Sequence, residues 1–180
     1  HQASSPIPQR ALAVIDPTLT RPWPMRPLAA ATWEWPRGLR VVAVHFIAKP
    51  FNAPPTQRLL CGIHPGRTGF PSRVLLLGPE RWDGVLEARL ATPALRHVAD
   101  PTPDPGSGIA VLAPNGCCPP GSLEPLAEEV LPAFLEARGH ALQLSAKGAW
   151  VLAPCDSGQP GLARVFGVLQ ALQGWATQGR

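Results

Sequence analysis

A chain of 180 residues that is 45% hydrophobic, 16% charged and carries a net charge of +4 has enough apolar material for one buried core. It is too apolar and too weakly charged for a disordered chain. Its longest apolar runs, Val41–Ala48 and Val74–Leu77, fall well short of the roughly 18 residues that a membrane-spanning helix needs, so no span is expected. The positive charge is almost all arginine, with Lys49 and Lys147 the only lysines, and it is scattered rather than clustered, so a nucleic-acid face is not expected.

The first residue is His1 rather than Met, as in a processed product or an excerpt, which leaves the compartment open. Residues 1–36 contain Pro6, Pro8, Pro17, Pro22, Pro24, Pro27 and Pro36, and fixed φ angles with missing N–H donors predict an extended arm rather than a helix. Trp23, Trp33 and Trp35 lie in this arm. Burial of large aromatics favours their packing onto the body, the other reading being an exposed partner-binding segment. Residues 37–180 then form a single globular domain.

Strands are expected at Leu39–Ala48, where a continuous apolar run implies burial on both faces, and at Arg58–Ile63 and Arg73–Gly78. Glu80–Leu90 reads as a helix, and the DPTPDPGSG stretch as a flexible connection. Ile109–Ala113 is a further strand. Ser122–Arg138 has helical composition, with Pro132 expected to kink or divide it and Gly139 to stop it. Ala141–Ser145 and Ala149–Ala153 read as a hairpin around Lys147-Gly148. The last helix, Leu162–Ala176, puts Leu162, Val165, Phe166, Leu169 and Leu172 on one stripe. The sum is an α/β or α+β fold: a mixed sheet of about six short strands with three helices, behind a Pro/Trp-rich N-terminal segment.

Two stretches echo each other: Val111-Leu112-Ala113-Pro114 recurs as Val151-Leu152-Ala153-Pro154, each followed by a Cys-containing Pro/Gly turn and a helix. Such turns gather backbone N–H groups at the positive end of a helix, which suits an anion. This makes Asn115, Gly116, Ser122 and Gly158 candidate ligand-binding residues. No nucleotide-binding glycine pattern is present.

The most reactive-looking segment is Cys155-Asp156-Ser157-Gly158, where a nucleophile leaves a buried strand and enters a helix. Cys155 or Ser157 would be the nucleophile. His45, His64, His97 and His140 are the internal candidates for its base, and His140 is taken as the base. The DSGQP string resembles the DSGGP around the nucleophile of trypsin-like proteases, but that family is all-β and the helices expected here set it apart.

Cys61-Gly62-Ile63-His64 has one close ligand pair where structural zinc sites show two, so no metal is expected, and no cofactor. The cysteines Cys61, Cys117, Cys118 and Cys155 permit either thiols or disulfides from the adjacent pair to the other two. The reading that follows is a non-catalytic binding or assembly component. It would contact a partner protein through the N-terminal arm, or a small anionic ligand. The alternative is a small hydrolase or transferase with a Cys155 or Ser157 nucleophile.

Overall fold

The computed structural model describes residues 25–35, 39–48, 54–64, 74–79, 96–97, 108–114, 126–145, 148–155 and 159–178. Eight strands form one sheet: β1 (Met25–Trp35), β2 (Leu39–Ala48), β3 (Thr56–His64), β4 (Val74–Leu77), β5 (Arg96–His97), β6 (Ala110–Ala113), β7 (Ala141–Ser145) and β8 (Gly148–Pro154). Their spatial order is β1-β2-β3-β8-β7-β4-β6-β5. A π-helical segment, Leu126–Val130, runs into α1 (Leu131–Glu136), and α2 (Gln159–Gln178) closes the described chain. The class is α+β. All six expected strands form, with β1 and β5 in addition. The expected helix at Glu80–Leu90 lies outside the described residues.

The expectation of a mixed sheet is corrected: among the described residues every pairing is antiparallel. Continuous apolar runs such as Val74–Leu77 usually mark parallel strands covered on both faces. Here an antiparallel sheet is itself buried on both faces, so its strands carry the same pattern. Alternate residues divide into two cores. Val41, Ala43, Cys61 and Val151 join the core that both described helices cover, and Val42, Val44, Leu60 and Trp150 join the one on the opposite face.

Close packing explains two glycines. Gly62 lies opposite Trp150 in the β3–β8 register, and a Cβ on it would fall inside the indole ring. At the end of α1, the Gly139 N–H donates to the Phe134 carbonyl and the Arg138 N–H to the Leu135 carbonyl, both 2.9 Å, which closes the helix. Arg138, with φ 52°, takes the left-handed conformation that a glycine usually supplies there. Gly139 is needed for size instead, because a Cβ would strike the Phe134 ring. Pro132 sits in the first turn of α1, where the π-helical segment ends, so the expected 122–138 helix divides at this residue.

β1 lies within the expected arm, so the described sheet includes Met25–Trp35, and residues 1–24 lie outside the described residues. Pro27 is compatible with a strand because β1 is at the sheet edge and bulges between Pro27 and Ala29. Trp33 packs edge-on against Phe166 of α2, with ring centroids 5.4 Å apart and planes at 76°. That contact ties the arm's tryptophan to the body.

Candidate functional site

Cys155 follows the last residue of β8 and precedes α2. It is half-buried and packs against the helix-covered core, as Leu162 and Phe166 do. Its N–H donates to the Gln57 carbonyl at 3.3 Å, extending the β3–β8 ladder by one step beyond Arg58 and Pro154. Gln57 in turn accepts through Oε1 from His45 Nε2 at 2.9 Å. Three neighbouring strand positions thus run from His45 through Gln57 to Cys155. Sequence reasoning named His45 only as one of several histidines and missed Gln57. Their link comes from the β2–β3 register, which no short motif encodes.

His140 is 4% exposed and sits just before β7. Its N–H donates to the Leu152 carbonyl at 2.8 Å and its own carbonyl accepts from Gly78 N–H at 3.0 Å, so its backbone joins the ends of β4, β7 and β8. Cys155 lies three residues further along β8 than Leu152, about 10 Å of extended chain. The fold therefore brings both residues to one end of the sheet, where the Gln57 backbone pairs with the cysteine. Ser157, Gly158, Asn115, Gly116 and Ser122 lie outside the described residues.

Cys61 has a different character. It is buried at the sheet centre, and burial, with the neighbouring Cys155 thiol adding to it, pushes its thiol well above the ordinary value of 9.0. A thiol held protonated in this way is no nucleophile. No disulfide joins it to Cys155. Among the described residues, no group of three or more His, Cys, Asp or Glu side chains is placed to hold a metal ion.

Among the described residues, the exposed positions of the sheet concentrate on β1. Among the described residues β1 pairs with β2 alone, and its outer edge carries no further strand. Arg26, Leu28, Thr32, Trp33 and Glu34 are exposed there. The opposite edge of the described sheet is β5, described over Arg96–His97. Short strands and bulges are the usual protection against edge pairing. β1 has a bulge at one end only, leaving Ala29–Trp35 in unbroken register with His45–Leu39. Among the described residues, no helix is long and apolar enough to cross a membrane.

No family model, no curated protein and no solved structure matches the chain.

Proposed function

We propose that the protein is a non-catalytic binding and assembly component whose contact element is the outer edge of β1, which takes an extended segment of a protein partner as an added antiparallel strand. The observation that carries this reading is the eleven-residue β1, whose outer edge bears no further strand among the described residues. Strand addition draws affinity from main-chain hydrogen bonds and specificity from alternate side chains. Trp33, 37% exposed although it touches Phe166, is the natural anchor.

The test is selection of peptides from a random display library on the immobilised protein. Extended sequences with alternating apolar residues should be enriched, and they should slow amide exchange along residues 29–35. A lysine at exposed position 32, Thr32→Lys, should abolish their binding, since edge lysines oppose strand addition. Peptides that bind Thr32→Lys equally well would overturn the reading.

A second reading is favoured by the His45–Gln57–Cys155 run: a small hydrolase or transferase with Cys155 as nucleophile and His45, positioned by Gln57, as base. It requires Cys155 to react with iodoacetamide at neutral pH faster than a model thiol, and His45→Ala to remove the excess rate. An inert Cys155 sinks it.

A further inference from the structure

Resting on β1 as the contact edge, we infer that its occupant is β1 of a second copy of this chain, paired antiparallel about a two-fold axis through Thr32, so that two sheets become one. A two-fold axis normal to a sheet keeps each face on its own side, so opposed residues must share a face and the axis must pass through a residue, not between two. The straight run of β1 is Ala29–Trp35, bounded by the bulge after Pro27 on one side and the strand end on the other. Its midpoint is Thr32. An axis there opposes Ala29 to Trp35, Ala30 to Glu34 and Ala31 to Trp33 of the second copy, pairs the whole straight run and leaves both bulges outside. Centring on Ala31 drives Trp35 against the bulge, and centring on Trp33 leaves Ala29 and Ala30 unpaired.

Side chains agree with this register. The run is small in its first half (Ala29, Ala30, Ala31) and bulky in its second (Trp33, Glu34, Trp35), so antiparallel self-pairing sets bulk against space. Threonine meets threonine on the axis, a favourable cross-strand pair. No charge faces a like charge, because Glu34 meets Ala30. The contact is isologous, each copy giving the same edge, so it closes as a dimer and does not propagate into a fibre. A single strand pair buries little area, so the dimer should dissociate at roughly micromolar concentration.

Sedimentation velocity across the micromolar range tests this, together with mild oxidation of two variants and peptide mapping of the product. The wild type should shift from monomer to dimer with concentration. Thr32→Cys should yield a covalent dimer linked through position 32 of both copies, since opposed Cα atoms ~4.5–5.5 Å apart suit a disulfide. Glu34→Cys, four positions out of register with itself, should not. Thr32→Lys should stay monomeric with an unchanged thermal midpoint. A wild type that is monomeric throughout, or a dimer that survives Thr32→Lys and does not crosslink through Thr32→Cys, overturns the inference. If the library peptides still add to β1 of a monomeric chain, the edge reading stands, the occupant is another protein, and only this inference falls.

Discussion

Replacing Gly62 with alanine tests the doubly buried sheet at its tightest point. On strand propensity alone the change should help, since glycine within a strand costs roughly 0.5–1 kcal/mol relative to alanine. The structure predicts the opposite sign. The new methyl would occupy the volume of the Trp150 ring atoms Cε3, Cζ3 and Cδ2, and Trp150 is 2% exposed among Val42, Val44, Leu60 and Leu152. Overpacking of this kind costs about 1–3 kcal/mol, and this contact belongs at the upper end because backbone and ring are both enclosed. Set against the gain in propensity, the net loss is about 2 kcal/mol. For a chain of this size that lowers the thermal midpoint by about 4–8 °C. Scanning calorimetry measures it. The double variant Gly62→Ala/Trp150→Leu should lose less than the sum of its parts, by about 1 kcal/mol or more, because the smaller side chain vacates the contested volume. A Gly62→Ala protein as stable as the parent would refute the packing argument.

Phe134→Ala should cost about 3–5 kcal/mol in urea unfolding, since the ring is fully buried and fills the space against Gly139 and Gly78. Stability should also fall at alkaline pH. The folded state holds the Cys61 proton that the unfolded chain releases above about pH 9, so this contribution is complete below that pH and is lost as pH rises, by at most ~1.4 kcal/mol per unit. Cys61→Ala should remove that slope, and parallel alkaline unfolding curves for wild type and variant would contradict it. In competition labelling of the native protein at neutral pH, Cys155 should be modified well before Cys61, whose modification should wait for unfolding. Equal rates would place Cys61 outside the core.

The elements legible in the sequence were those with apolar patterning: β2, β3, β4, β6, β7, β8 and the stripe on α2. Strand direction was not legible, because burial on both faces erased the polar alternation that marks an antiparallel sheet. β1 was hidden by Pro24 and Pro27 and by its alanines. Proline is excluded from central strands but tolerated at an edge, and edge position is a tertiary fact. At the site, the sequence pointed to the end of β8. It could not show that Gln57 and His45 arrive there from β3 and β2, since that depends on the register of strands far apart in the chain. Gly139 stops α1 as the sequence indicates, but the left-handed torsion falls on Arg138 and Gly139 answers to the Phe134 ring, which no local pattern announces.

The strand order also bears on how the chain assembles in time. β1, β2 and β3 pair as a local meander and β4 to β8 pair among themselves, so among the described residues the two sets of strands pair with each other only where β3 lies against β8. That seam joins partners from Ile63 with Ala149 to Arg58 with Pro154, roughly ninety positions apart, and contacts of such separation form slowly. α2, which packs on both β8 and β3, straddles the same seam. Because α2 leaves the ribosome after every strand, the halves can form during synthesis but are locked together only when the helix has emerged, and until then both margins of the unjoined seam stay open to mispairing.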